Sequence, residues 1–160
     1  MTNGTIHSGG CQCGAVRFQV GKLGRPSICH CRMCQKATGN LFAAFVTADQ
    51  AHLTWTRGQP MLFRSSKKVH RGFCGRCGTQ LTYHHPGGVE LTIGAFDHPE
   101  LLEPQVQVNH AKALPWIDRL FDKPDATTPE MEEYFATIVS FQHPDHDTAT
   151  WPPEDTSDDK

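Results

Sequence analysis

The clearest order in this chain is alternation. In GAVRFQV, the side chains of Val16, Phe18 and Val20 alternate with Arg17 and Gln19, the period-two pattern of a strand buried on one face. Similar segments follow in LFAAFVTA, HLTWTR, MLFRSS, KVHRGFC, TQLTYH, VELTIGAF and QVQVNH, with Gly, Pro and Asp between them as punctuation. Many short strands at close spacing predict a mainly β, antiparallel sheet system and not a series of parallel strand-helix-strand units. Helix is expected late. TTPEMEEYFATIVSFQ offers Thr128 as cap, Pro129 at the first helical position, Glu130 and Glu132 near the positive end, and Met131, Tyr134, Phe135 and Ile138 along one face. DHPELL and LPWIDRL read as single turns.

Beyond Phe141 the text turns polar, acidic and Pro-bearing, as QHPDHDTATWPPEDTSDDK. The expectation is one domain over residues 1–142 and a mobile tail over 143–160, with Trp151 as its one anchor. A chain of 160 residues is long enough to bury a core of its own. Its formal charge of −2 lacks the basic footprint of a nucleic-acid binder, since Arg64, Lys67, Lys68, Arg71 and Arg76 make only a modest cluster. No basic stretch leads into an apolar one at the N-terminus, and the longest apolar run, LFAAFV, is too short to span a bilayer. A soluble, cytoplasmic chain without a membrane or nucleic-acid partner is expected.

Seven cysteines change the picture. An odd number cannot pair completely as disulfides, and a reducing compartment would not maintain them. They are clustered: Cys11 and Cys13 as C-x-C, Cys29, Cys31 and Cys34 as C-x-C-x-x-C, and Cys74 and Cys77 as C-x-x-C. Metal binding is the natural use. Side chains two apart on an extended chain leave on the same side, so each C-x-C can present both sulfurs to one ion. Gly14, Gly75 and Gly78 let the chain turn tightly enough for amide N–H groups to reach the sulfurs.

FCGRCG is a zinc-knuckle signature that supplies two ligands and needs two more. It pairs either with Cys11 and Cys13 or with two thiols of the middle cluster, which would strand the third. Keeping the trio intact gives a closed site of Cys11, Cys13, Cys74 and Cys77 and an open site of Cys29, Cys31 and Cys34. Three protein ligands are what a catalytic zinc keeps when one position stays open to water or substrate. His30, between Cys29 and Cys31, should project to the other side of an extended chain and reads as a packing or supporting residue. His84 and His85 lie within reach from another strand, but in TYHHPGG they read more simply as a solvated hairpin end.

The motifs GGCQCGAVRF, CHCRMCQKATGN, FCGRCGTQL and LTIGAFDHPELLEPQVQV, with LPWI downstream, occur in an order that resembles the glutathione-dependent formaldehyde-activating enzyme family, which also contains centromere protein V. The resemblance runs from about Gly9 to Trp116. It implies an antiparallel, zinc-stabilised β-tent with two zinc ions per chain. Cys11, Cys13, Cys74 and Cys77 match the family's structural zinc ligands, and Cys29, Cys31 and Cys34 match those of a second, catalytic zinc.

The implied activity is that of a carbon-sulfur lyase, an S-(hydroxymethyl)glutathione synthase-like enzyme that reversibly condenses glutathione, as co-substrate, with formaldehyde or a related small electrophile. Lys36 and Arg71, with Lys67 as a further candidate, are then the cations suited to the carboxylates of glutathione. Thr38, Gly39 and Asn40 read as a plain turn, and no general base stands at a diagnostic spacing. Two other classes compete: a glutathione-binding carrier without catalysis, and a zinc-stabilised interaction module. A redox dithiol at CGRC lacks the strand-helix-strand setting it would need.

Overall fold

Residues 5–150 are described by a computed structural model. In chain order the strands are β1 (His7–Gly10), β2 (Arg17–Val20), β3 (Leu23–Cys29), β4 (Ala43–Ala48), β5 (Leu53–Arg57), β6 (Met61–Arg64), β7 (His70–Phe73), β8 (Gln80–His85), β9 (Gly88–Thr92) and β10 (Val106–Val108). Helix α1 (Arg32–Thr38) joins β3 to β4, and α2 (Pro129–Ala136) lies near the end of the described chain. Strands β1, β2 and β5 form an antiparallel sheet in the order β1-β2-β5, and the other seven form a second in the order β10-β3-β4-β9-β8-β7-β6. The fold is mainly β, as the alternation predicts. One pairing departs from the antiparallel expectation: β10 runs parallel to β3, with Val108 opposite Cys29.

Three elements are absent from the sequence expectation: the short strand β1, strand β3 and helix α1. Gly24 and Pro26 interrupt β3 and hide it, because proline lacks a ladder donor. The structure accommodates Pro26 at a register irregularity against β4. Helix α1 falls in a stretch for which no element is expected, and its origin belongs with the cysteines below. Helix α2 starts where expected, with Thr128 Oγ1 accepting from the Met131 N–H at 3.3 Å, but ends at Ala136 instead of running on to Gln142. None of its residues is buried, so the face of Met131, Tyr134 and Phe135 has no packing to extend it.

The core lies between the two sheets. Phe18 and Val20 of β2 are fully buried, with Val46, Leu81, Val89 and Leu91 from the larger sheet. Phe18 meets Phe96 and Trp55 edge-on, with ring centroids 5.1 and 5.9 Å apart. A β-carbon at Gly9 would fall 2.3 Å from the Ala95 carbonyl oxygen and 2.6 Å from Phe18 Cζ, so only glycine lets β1 lie this close to the core.

Arg17 breaks the alternation, since it is buried although its position reads as polar and outward. Its Nη1 and Nη2 donate to Asp97 Oδ1 and Oδ2 at 2.7 and 2.6 Å, a bidentate pair with both side chains almost wholly enclosed. Ser8 Oγ also donates to Asp97. The remaining edge of Arg17 reaches Asp147, whose other oxygen accepts from Gln19 Nε2 at 2.7 Å.

Asp147 belongs to the segment expected to be mobile. The His143 N–H donates to the Gln12 carbonyl at 2.8 Å, and Arg57 Nη2 donates to the Thr148 carbonyl. Residues 143–148 are thereby fastened along β2 and β5, because a buried guanidinium attracts a second carboxylate more strongly than composition suggests. Trp151 lies outside the described residues. Among the described residues, no helix is long and apolar enough to cross a membrane.

Burial pushes the Asp97 carboxyl up, but hydrogen bonds from Arg17 and Ser8 outweigh it and hold its pKa below the usual carboxylate value. A depressed folded-state pKa contributes stability above the unfolded value and loses it as pH falls through the folded one. Asp97→Asn leaves Arg17 buried with half its partner missing, and is expected to cost about 3–5 kcal/mol in urea unfolding at neutral pH. It should also flatten the acid limb of the stability curve; unchanged stability would show that the pair is not a structural anchor.

Candidate metal centres and adjoining cleft

Cys11 and Cys13 leave the turn after β1, and Cys74 and Cys77 leave the turn between β7 and β8. The two turns are built alike. The Gly14 N–H bonds to the Cys11 carbonyl and the Gly78 N–H to the Cys74 carbonyl, each at 2.9 Å. Gly14 and Gly78 take φ of 72° and 79°, the left-handed region that a β-carbon disfavours. The four Sγ atoms lie within 4.8 Å of one another, with Cys11 to Cys13 at 3.6 Å and Cys13 to Cys74 at 3.8 Å.

Backbone donors surround this tetrad. The Val16 N–H reaches Cys11 Sγ at 3.2 Å and the Arg76 N–H reaches Cys74 Sγ at 3.4 Å. Thr79 joins the two turns: its Oγ1 accepts from the Gln12 N–H at 3.0 Å and lies 3.2 Å from Cys77 Sγ. As free thiols Cys11 and Cys77 would be unlike. Burial pushes Cys11 far up, whereas at Cys77 the hydroxyl and amide of Thr79 outweigh burial and bring the pKa down to about 6. One cation shared by four thiolates levels this difference, which is the arrangement the donor set fits.

The second group is local. Cys29 ends β3, Cys31 is the N-cap of α1, and Cys34 lies in its first turn. Cys31 Sγ accepts from the Cys34 N–H at 3.4 Å, taking the place of the usual hydroxyl cap. The helix ends on Gly39 at φ 62°, so the turn read at Thr38, Gly39 and Asn40 is a helix terminus. Helix formers in RMCQKAT followed by glycine were the available signal. The three sulfurs lie within 4.8 Å of one another, and no fourth His, Cys, Asp or Glu joins the group among the described residues.

Each trio sulfur has a donor of its own: Asn109 Nδ2 to Cys29 at 3.7 Å, the Cys34 amide to Cys31, and Arg71 Nη2 to Cys34 at 3.5 Å. The parallel pairing of β10 beside β3 brings Asn109 there. Burial pushes the free Cys34 thiol up to about 12 against the opposing pull of Arg71, while amide and thiol donors outweigh burial at Cys31 and lower it. His30 is buried, with Nε2 2.8 Å from Gln107 Oε1 and its ring against Phe42 and His110. It packs, as expected, and is no ligand of the group.

A cavity of about 280 Å³ lies against the trio and is lined also by Phe45, Arg71, Tyr83, His85 and Glu90. Arg71, Tyr83 and Glu90 are register neighbours on β7, β8 and β9, so their side chains share one face of the sheet. Tyr83 packs against Phe45 and stacks on His85, with centroids 5.6 and 5.3 Å apart. His85 Nε2 lies 3.7 Å from Glu90 Oε1, where burial raises the Glu90 pKa. His85 therefore lines the cavity instead of ending a solvated hairpin, whereas His84 turns to Thr82 Oγ1 at 2.8 Å.

Met33 and Arg71 also line a second, larger cleft of about 680 Å³, together with Arg32, Lys36, Phe63 and Phe73. Lys36 and Arg71, equivalent in the sequence, are thus different in place. Lys36 is exposed in the outer cleft. Arg71 is only 3% exposed, with its guanidinium at a trio sulfur and 4.8 Å from the Tyr83 ring centroid. Lys67 is exposed on the turn between β6 and β7 and lines neither cavity.

A crystal structure of a Rhodobacter sphaeroides protein, a structural genomics target, is similar to this chain with a TM-score of 0.52 and 22% identity, over 63% of this chain and 99% of that one. At that identity the likeness bears on the fold alone. The family profile described as glutathione-dependent formaldehyde-activating enzyme matches residues 6–112, a span that contains all seven cysteines and every wall of the trio cavity. The chain belongs to the glutathione-dependent formaldehyde-activating enzyme family.

Proposed function

We propose that this protein is a zinc-dependent carbon-sulfur lyase that reversibly condenses glutathione with formaldehyde to S-(hydroxymethyl)glutathione. The observation that carries the reading is the trio: three sulfurs within 4.8 Å, no fourth protein ligand among the described residues, and a cavity directly against them. Cys11, Cys13, Cys74 and Cys77 hold a structural zinc in this reading, and Cys29, Cys31 and Cys34 hold a second one. All-thiolate donor sets suit zinc, and seven cysteines free of disulfides suit a reducing, cytoplasmic setting. When bound at the trio, zinc supplies a Lewis acid that keeps an incoming thiol deprotonated at neutral pH.

The chain's own residues supply position and proton traffic. Lys36 and Arg32 meet the carboxylates of glutathione along the outer cleft, and its sulfur extends past Met33 toward the trio. Confinement beside the aldehyde substitutes for the entropy of a chance encounter. As the sulfur bonds to the aldehyde carbon, the carbonyl electron pair passes to oxygen, which then takes a proton. In the reverse direction the hydroxyl gives that proton up. His85, with Glu90 beside it, is the lining group fit to carry it, and Phe45 and Tyr83 keep that wall dry.

The test is exchange NMR on glutathione and labelled formaldehyde at equilibrium, with and without the zinc-loaded protein. The protein should accelerate exchange, and Cys31→Ser should abolish the acceleration. Serine still caps α1 but is a poor zinc ligand, so loss of exchange in a folded variant tests the trio and not the helix. Unaccelerated exchange with broadened glutathione lines would replace the lyase with a carrier; unchanged lines would leave an interaction module.

Metal analysis provides a second expectation. The wild type should carry two zinc ions per chain under reducing conditions and Cys34→Ser one. Mild chelation should remove the trio's ion first while the far-ultraviolet spectrum stays unchanged. Loss of both ions together would argue against two sites of unlike lability.

A further inference from the structure

Arg71 has more hydrogen-bonding capacity than its surroundings use. Its guanidinium is charged at every working pH and presents N–H groups on several edges. The side chain is 3% exposed. Nη2 donates to Cys34 Sγ, and the guanidinium packs on the ring of Tyr83. Nε and Nη1 are buried and have no partner. A buried cation with unfilled donors is costly unless a ligand completes it, and Arg71 lines both the trio cavity and the outer cleft. The other charged group of the cavity, Glu90, faces His85.

Distance narrows the ligand. Nη2 is 3.5 Å from Cys34 Sγ, and Nε and Nη1 belong to the same small planar group, so an anion on them lies within about a guanidinium's width of the trio. The carboxylates of glutathione are too remote from its sulfur for this, being separated from it by most of a residue or more. Formaldehyde brings no anion at all. A carboxylate attached to the carbon that bonds to sulfur lies within reach, and a cavity of about 280 Å³ has room for it.

We propose that Arg71 is a carboxylate receptor at the reacting end of the site, and that the protein accepts the aldehyde that bears a carboxylate on its carbonyl carbon, glyoxylate. This rests on the reading that a thiol sulfur occupies the open trio. The sulfur of the thiolate bonds to the aldehyde carbon, the carbonyl π pair moves to oxygen, and that oxygen takes one proton, which His85 delivers and regains from water. The carboxylate is unchanged and nothing is oxidised or reduced. The product is a hemithioacetal whose carboxylate meets Nε or Nη1 of Arg71.

Binding separates this proposal from the one beneath it. Mercaptoacetate, 3-mercaptopropionate and 2-mercaptoethanol are titrated by calorimetry into the zinc-loaded protein and into Arg71→Gln. Mercaptoacetate carries the carboxylate on the carbon next to sulfur and should bind about tenfold or more tighter than 2-mercaptoethanol, the gain of one hydrogen bond to a charged group. 3-Mercaptopropionate should lose most of that advantage, and Arg71→Gln should erase it while still binding 2-mercaptoethanol. Glyoxylate should in turn outpace formaldehyde in exchange with glutathione.

Equal affinity for the three thiols in the wild type would overturn the carboxylate receptor and leave the thiol site standing. Absence of binding by all three at full zinc content would overturn the thiol site itself, and the proposal with it. The length series in the wild type decides the matter even where Arg71→Gln does not fold.

Discussion

Everything else in this molecule hangs on the convergence of Cys11 and Cys13 with Cys74 and Cys77. Cys13 and Cys74 are 61 positions apart in sequence, yet their sulfurs lie 3.8 Å apart. The first pair follows the edge strand of the three-stranded sheet, and the second sits in a hairpin of the seven-stranded one. Four buried or half-buried sulfurs this close would repel one another as thiolates, while as thiols they gain little from the contact. A shared cation would resolve the conflict and turn its binding free energy into cohesion between the sheets. Arg17 and Asp97 tie β2 to the loop after β9, so the ion pair braces a core that otherwise rests on short strands, and a metal at the tetrad would add to it.

The larger sheet does two jobs because its faces differ. Val46, Val89 and Leu91 turn toward the core. Phe45 and Glu90, one position away on the same strands, turn toward the trio, as does Tyr83 of β8. On β4 and β9 period-two geometry makes that division automatic, so the strands that pack the core also hold the wall of the cavity. Helix α1 closes the other side, with Met33 between the trio cavity and the outer cleft.

Much of this was legible in advance. Alternation located eight of the strands, and the arithmetic of seven thiols separated a set of four from a set of three. What escaped the sequence has physical causes. β3 was hidden by Gly24 and Pro26, whose effect on a strand depends on whether a bulge absorbs them. Helix α1 was hidden because Cys31 caps it through sulfur, and cysteine is not among the residues that announce a helix start. Arg17 and Arg71 read as ordinary polar positions because burial of a guanidinium depends on partners distant in sequence: Asp97 in one case, Cys34 and Tyr83 in the other. His85 required register, since only pairing of β8 with β9 sets it beside Glu90.

The two cysteine groups also differ in how they are made. The tetrad is non-local: its halves meet only when the sheets meet, so an ion there would be bound by folding and released by unfolding. The trio spans six residues of one continuous stretch. Its geometry is set by hydrogen bonds that exist without an ion, the Cys34 amide to Cys31 and the Gln35 side chain to the His30 carbonyl. Removing an ion from the trio therefore leaves the helix cap and the cavity wall in place, whereas removing one from the tetrad strips the bond between sheets. A site that must exchange a ligand at every turnover is best built from local, preformed contacts, and one that must never open is best built across the fold. The spacing of the cysteines along the chain carries that distinction, because sequence separation decides which ion the fold depends on.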